Sequence, residues 1–382
     1  MRRSKKFMKR ITTLTAICAA TVCALSANAA YYDDMGKIVN FSHPPSIKLK
    51  KPPVLKDKDS FSILMLGDPQ SYIKFDFTQP IFDLMTAWCA AQKDVLKVKT
   101  VICTGDLVEQ NDIIARDGPP FGENGNQPSL AQWTAVSNSF KRLDGVYPYV
   151  LTLGNHDYGF EAAEDRHTHF NEFFTVLRNP LWANHIAATC PNASGFNTLE
   201  NAAYVFEDKN WGKIMIITLE FSPRDEVLAW ADKIVNLPHF KNHKVIILTH
   251  SILSTNGEII QKENYKVSPC NYPIQIWEKL IKKNANIKLV LSGHTGDTKT
   301  HCAFRKEKND FGKEVPMMMF NPQAVGGWTG NGGDGWLRIL EFMPDGKTIG
   351  VRTYSPLFAA SARTQDLAWS TADFDEFEIE IQ

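Results

Sequence analysis

The chain has no CxxC pair, no internal repeat, no low-complexity segment and, past residue 29, no apolar run long enough to cross a bilayer. The first absence argues against a zinc–thiolate site and the last against an integral membrane span. Neither sign of charge is in excess, because 42 Lys and Arg balance 42 Asp and Glu over 382 residues. Cysteine is sparse: of seven, Cys18 and Cys23 fall before residue 30. The other five are an odd number, which argues against a disulfide framework. Cys103 lies in a strand-like run and Cys89 on a helical one, as buried apolar thiols do. Cys190, Cys270 and Cys302 read as loop residues, among which one bridge is compatible with an oxidising compartment.

Arg2, Arg3, Lys5, Lys6, Lys9 and Arg10 precede an apolar stretch from Ile11 to Leu25, and Ala27-Asn28-Ala29 follows with small residues. That order reads as a secretory signal peptide over 1–29, with a product starting near Ala30 and exported to the periplasm or the medium. Ile17 and Val22 precede Cys18 and Cys23, which argues against a lipoprotein cleavage site. Without residues 1–29 the balance is 36 basic against 42 acidic side chains, a net of about −6. A mildly acidic chain with no long basic run is a poor fit to a nucleic-acid backbone, so no specific nucleic-acid binding is expected.

Residues 30–59, with Pro44, Pro45, Pro52 and Pro53, read as an extended leader. Residues 60–300 read as the core, and 301–382 as strands completing a second sheet. Within the core, a strand, a helix over Thr78–Gln92 and a second strand make a βαβ unit. Asn111 to Pro128 is a loop rich in Gly and Pro, placed where a wall of a substrate site is expected. Ser222-Pro223-Arg224-Asp225 reads as a helix start, with Ser222 as N-cap. Val315–Phe320, Trp336–Phe342 and Thr348–Tyr354 lack intervening helices and should run antiparallel. A glycine-rich loop, Gly326–Gly335, contains Trp328. The acidic tail Phe374–Ile381 reads as a protected edge strand.

Five polar clusters carry most of the chemistry. Each ends an apolar run: Asp68-Pro69-Gln70, Gly105-Asp106, Gly154-Asn155-His156-Asp157, Thr249-His250 and Gly293-His294. Such runs read as buried strands of a largely parallel sheet, whose carboxyl ends are where ligands bind. Taken singly, each cluster is ordinary turn chemistry. Together and in this order they deliver a metal-type ligand set to one edge. Asp106 is the natural carboxylate to bridge two cations. Asp68 and Gln70 share a face, Asn155 adds an amide oxygen, and His250 and His294 add imidazoles. Oxygen and imidazole without thiolate fit Mn, Fe or Zn. Two such ions would activate water for attack on a phosphoryl group. His156 would then serve the leaving oxygen, with Glu109 orienting its ring. The remaining histidines, His167, His169 and His301 among them, read by default as surface or loop residues.

The order Asp-x-Gln, Gly-Asp, Gly-Asn-His-Asp, His, Gly-His resembles the calcineurin-like metallophosphoesterases over residues 61–300. Leu219–Glu226 and Gly335-Trp336-Leu337-Arg338 resemble a secreted bacterial branch of that superfamily. The resemblance implies an α/β fold of two mixed β-sheets packed face to face with flanking helices, in four layers. It implies Asp68, Gln70 and Asp106 at a first metal, Asp106 bridging, with Asn155, His250 and His294 completing a second and His156 catalytic. The expected activity is hydrolysis of phosphate mono- or diesters on small or macromolecular substrates. There are two departures. Gln70 stands where many members have His, and the closing Gly-His-x-His reads Gly293-His294-Thr295-Gly296. A first-metal ligand is thus absent, with Asp297, His301 or water to replace it, and that site is expected to be weak or empty. The alternative is a degenerate member that binds a ligand or partner through a weak or single metal site.

Overall fold

The runs that feed the five clusters become strands buried on both faces: β3 (Phe61–Leu66), β4 (Val98–Cys103), β5 (Val150–Leu151), β9 (Lys244–Leu248) and β10 (Ile287–Ser292). The computed structural model describes residues 31–32, 38–39, 52–113, 124–325, 327 and 331–382. The expected signal peptide, most of the leader, the middle of the Asn111–Pro128 loop, and Gly326 and Trp328 lie outside the described residues. The chain divides into two units, Met1–Leu49 and Lys50–Gln382. In the first, β1 (Tyr31–Tyr32) and β2 (Ile38–Val39) pair antiparallel.

In the second unit the five strands do not share a sheet. β3, β4 and β5 run parallel in one sheet, extended antiparallel by β13 (Leu337–Phe342), β14 (Thr348–Tyr354), β15 (Trp369–Ser370) and β16 (Glu376–Glu380). β9 and β10 run parallel in the other, between β8 (Gly212–Thr218) and β12 (Glu314–Phe320). Its antiparallel margins are β6 (Ile186–Pro191), β7 (Asn197–Asp208) and β11 (Cys302–Lys308). Among the described residues each sheet is therefore mixed and seven-stranded.

Side-chain alternation shows why they stack. Ile214, Ile216, Ile246, Leu248, Leu289, Leu291, Met318 and Phe320 join the core shared with β3, β4 and β13. Their neighbours Met215, Ile217, Val245, Ile247, Val290, Met317 and Met319 face the other way. These pack with Val227, Leu228 and Ala231 of the Asp225–Asn236 helix, and with Trp277, Leu280 and Ile281. Phe82, Met85 and Cys89 of the Gln79–Ala91 helix and Trp133, Val136 and Phe140 of the Ser129–Lys141 helix join the core with β3 and β4. The result is the expected two-sheet α/β architecture with flanking helices. Among the described residues, no helix is long and apolar enough to cross a membrane.

Four local expectations change. The Val315–Phe320 run is parallel to β10 and not part of an antiparallel meander, because the unanticipated strand β11 makes the hairpin turn back into it. β11 escapes a hydrophobic pattern because Arg305, Lys306, Glu307 and Lys308 decorate an edge with one solvated side. The strands after residue 301 consequently divide between both sheets. The helix expected to start at Ser222 begins at Asp225, with Arg224 in the N-cap position and its amide donating to the Glu220 carboxylate at 3.1 Å. Cys190 and Cys302 sit in β6 and β11, and all five described thiols are free.

One charge sits where the two sheets meet. Arg338 on β13 is fully buried, with its guanidinium 4.6 Å from the Phe320 ring centroid and Nη1 2.9 Å from Met318 Sδ. Nη2 donates to Phe374 O at 2.7 Å and lies 3.4 Å from Asp375 Oδ1. Asp375 also accepts from Thr353 and Ser370 and meets His301 Nε2 at 3.2 Å. Burial raises the Asp375 pKa, but its hydrogen bonds and the neighbouring cations outweigh that and hold it below the ordinary carboxylate range. Asp375→Ala, which leaves the guanidinium without a counter-charge, is expected to cost about 3–5 kcal/mol in urea unfolding.

Candidate metal centre

Three clusters come from one sheet and two from the other, so the centre sits where the carboxyl ends of β3, β4, β5, β9 and β10 converge. The local chain is built for close approach. Gly105 has φ 101°, and Asp106 and His294 hold positive φ values of 50° and 69°, which L-residues adopt at a cost. A Cβ on Gly154 would sit 2.1 Å from Asp106 Oδ1, and one on Gly293 2.0 Å from Asp68 Oδ1. Both glycines let backbone pass against a ligand carboxylate. Asp157 organises the loop: Oδ1 accepts Leu107 N at 2.7 Å and Val108 N at 3.2 Å, and Oδ2 accepts Gly154 N at 2.8 Å.

Asp106, Asn155, His250 and His294 meet at short range. His250 Nε2 is 3.2 Å from Asp106 Oδ2, 3.1 Å from Asn155 Oδ1 and 3.1 Å from His294 Nδ1. The outer nitrogen of each ring is already engaged. His250 Nδ1 is 2.7 Å from the Thr104 carbonyl, and His294 Nε2 is 3.1 Å from Glu263 Oε1. Hydrogen bonding thus assigns the ring protons to those outer atoms. Two imidazole nitrogens, a carboxylate oxygen and an amide oxygen then face one another. Burial lowers the His250 pKa, but the Asp106 and Asp68 carboxylates outweigh it and raise it to about 10, so the cluster favours positive charge, supplied by a second ring proton or by a bound cation.

Asp68 and Gln70 come from the neighbouring strand end, where Gln70 N donates to Asp106 O at 3.0 Å. Asp68 Oδ1 accepts from Thr104 Oγ1 at 2.6 Å and Oδ2 from His294 N at 2.8 Å. Burial pushes the Asp68 carboxyl up to about 7; His250 pulls it down and Asp106 adds to the rise. Burial also acts to raise Asp106, but His250 and His156 more than compensate and lower it. Two buried carboxylates side by side are costly unless a cation lies between them. Gln70 Oε1 is buried without a hydrogen-bond partner, as an oxygen reserved for an ion would be. The residues present therefore fit a divalent metal group.

His156 stands beside this set, its amide donating to Asp106 Oδ1 at 3.0 Å. Its ring is not held by the Glu109 carboxylate as expected. Nδ1 is 2.6 Å from the Glu109 backbone carbonyl, while the carboxylate lies 3.3 Å from Lys74 Nζ. Lys74 is almost wholly buried, and its ammonium claims the nearest anion. Burial lowers the His156 pKa, yet the Asp106 and Glu109 carboxylates outweigh it and raise the ring above its ordinary value.

Neither suggested replacement for the absent histidine is turned to this task. Asp297 caps the Lys299 and Thr300 amides at 2.7 Å, and His301 pairs with Asp375. Position 296 has no room for a side chain, since a Cβ there would lie 2.7 Å from Asn321 O. Asn321 also donates from Nδ2 to the His294 carbonyl at 2.9 Å. Arg224 pairs with buried Glu220 at 2.8 Å, as Arg166 does at 3.2 Å.

Glu263 and Thr104 are the functional neighbours that the sequence did not disclose. Glu263 comes from the irregular segment after His250, where Ser251 Oγ also donates to its Oε1 at 2.8 Å. No motif surrounds it, and only the fold brings it to His294. Phe221 packs its ring 5.8 Å from both His250 and His294, giving the imidazoles an apolar wall.

The calcineurin-like phosphoesterase family model matches residues 61–297. The chain belongs to that family. Among curated proteins it is similar to the uncharacterized protein YvnB of Bacillus subtilis (strain 168), 27% identical over 306 residues. That match takes in 78% of this chain but 20% of YvnB, so the chain spans about a fifth of the length of that relative. Among solved structures, a purple acid phosphatase, PPD1, from yellow lupin (Lupinus luteus) is 12% identical at a TM-score of 0.42, covering 86% of this chain and 55% of that one. A dimetal phosphatase from Danio rerio is 9% identical at 0.44, covering 84% and 99%.

Glu263→Gln keeps volume but weakens the anchor on His294 Nε2. Isothermal titration of metal-free protein is expected to show about 10–100-fold weaker binding at the imidazole-rich position.

Proposed function

We propose that this protein is an exported metal-dependent phosphoesterase of the secreted bacterial branch, hydrolysing phosphate mono- or diesters with water. The observation that carries the reading is the four-way convergence of lone pairs from Asp106, Asn155, His250 and His294. In this reading Asp106 would be shared by both ions, Asp68 and Gln70 would hold one, and Asn155, His250 and His294 would hold the other. Mn, Fe or Zn suits such donors, and bound ions would supply Lewis-acid polarisation of the phosphoryl group and hydroxide near neutral pH.

The two halves differ in hardness. Oxygen donors alone line the Asp68 and Gln70 side, and two imidazoles line the other. With no side chain at Gly296, the oxygen side would hold an ion more weakly.

The rest of the reaction falls to the chain itself. His156 Nδ1–H donates a hydrogen bond to the Glu109 carbonyl, which fixes the ring and leaves Nε2 as the working atom. The Asp106 and Glu109 carboxylates raise the ring above its ordinary value, which favours Nε2 as the donor of a proton to the departing oxygen. Lys74 holds Glu109, and through it the carbonyl that orients the ring. Asp157 keeps the Gly154–Asp157 turn and the Asp106 segment in register through its three amide bonds.

The Asp106 centre is expected to bind up to two metal equivalents, and purified protein to hydrolyse an aryl phosphate or bis-aryl phosphate in a chelator-sensitive way. His156→Ala should retain metal and lose about 10²–10⁴-fold in turnover. Asp106→Asn should lose both. No bound metal and no turnover with added Mn would instead make the chain a ligand-binding member of its family.

Export rests on the basic-then-apolar order of residues 1–29. N-terminal sequencing of protein recovered outside the cytoplasm is expected to begin near Ala30, and an intact Met1 there would count against it.

A further inference from the structure

A second group of ligand-type atoms lies outside the centre described above. Asp112, His167 and His169 each place one such atom within 4.8 Å of the others. His169 Nε2 is 3.0 Å from Asp112 Oδ1, and His167 Nε2 is 3.9 Å from Asp112 Oδ2. The two rings meet edge to face with centroids 5.0 Å apart. His167 is exposed, while Asp112 and His169 are half-buried.

Local hydrogen bonds fix the backbone beneath all three. Asp112 N donates to Phe160 O at 3.0 Å. Buried Asn111 ties the two stretches together: Nδ2 donates to Gly159 O at 2.7 Å and His167 O at 3.2 Å, and Oδ1 accepts His169 N at 3.0 Å. His167 N donates to Asp165 Oδ1 at 2.7 Å. The donors are therefore pre-positioned, which reduces the entropy lost on binding.

Glu172 supplies the deciding detail. Its Oε1 lies 2.7 Å from His169 Nδ1, on the far side of the ring from Asp112. A carboxylate there holds the proton on Nδ1 and turns the Nε2 lone pair toward Asp112, the arrangement that ligating histidines use. Burial lowers the His169 pKa, but Asp112 and Glu172 outweigh it and raise it, so the pocket favours positive charge.

We propose that Asp112, His167 and His169 form a further binding site for a transition-metal dication, with Glu172 as the outer carboxylate. Two carboxylates balance the charge of a dication, and two imidazole nitrogens with one carboxylate oxygen favour Zn, Ni or Cu over Mg or Ca. Exposure of His167 leaves the remaining positions to water. The ion would fasten Asp112 to the Phe160–Glu172 stretch, and its binding would stabilise the folded chain by mass action. The competing arrangement is a protonated His169 shared by Asp112 and Glu172, with no metal.

Calorimetric titration of chelator-stripped full-length protein with Zn separates the two. The His167→Ala/His169→Ala variant is expected to take up one equivalent fewer than the wild type. Glu172→Gln is expected to keep that equivalent but bind it about 10–100-fold more weakly. Equal stoichiometry in wild type and double variant overturns the proposal, as does unchanged affinity in Glu172→Gln. Should the Asp106 centre take no metal at all, the wild type still binds one equivalent and the double variant none. Failure of either site is therefore read independently.

Discussion

Everything in the centre turns on where two protons sit. The Thr104 carbonyl draws one to His250 Nδ1, and Glu263 draws the other to His294 Nε2. With those positions taken, the inner nitrogens lie 3.1 Å apart, beside the oxygens of Asp106 and Asn155. Four electron-rich atoms at such range repel unless positive charge lies among them. The surrounding chain is arranged to impose that crowding, not to relieve it.

Imposing it requires unfavourable local geometry. Asp106 and His294 both sit at positive φ, and Gly105, Gly154 and Gly293 remove side chains where backbone must pass ligand atoms. None of this is stable in isolation. It persists because buried β3, β4, β5, β9 and β10 hold the flanking residues, and because Asp157 satisfies three loop amides at once. Strain at a site held by a rigid scaffold is what pre-organisation means physically.

The ligand-type residues were legible because each follows an apolar run whose strand character the pattern reveals, and because a strand's end fixes where its next residues go. The division of those strands between two sheets was not legible from the runs, since a buried strand reads the same in either sheet; the resemblance implied two sheets but not which strands each holds. β11 was missed because a charged edge strand has no hydrophobic period. Glu263 was missed for a different reason: it belongs to an irregular segment, and an isolated acid has no local signature until the fold closes. Glu109 was placed correctly but given the wrong atom. Sequence shows that an acid lies near His156, yet only the structure shows that Lys74 occupies its carboxylate and leaves the carbonyl to the ring.

The split between sheets has a consequence for the centre. Asp68, Asp106 and Asn155 ride on one sheet and His250 and His294 on the other, so the spacing between oxygen and imidazole donors is set by how the sheets stack. That stacking depends on the shared core of Leu248, Leu291, Met318 and Phe320 against β3 and β13, and on the Arg338 guanidinium lodged beside Phe320. Metal-type geometry tolerates errors of only a few tenths of an ångström, and close-packed interiors transmit small volume changes. A substitution deep between the sheets, far in sequence from every ligand, therefore acts on the same distances as a change in the ligands themselves.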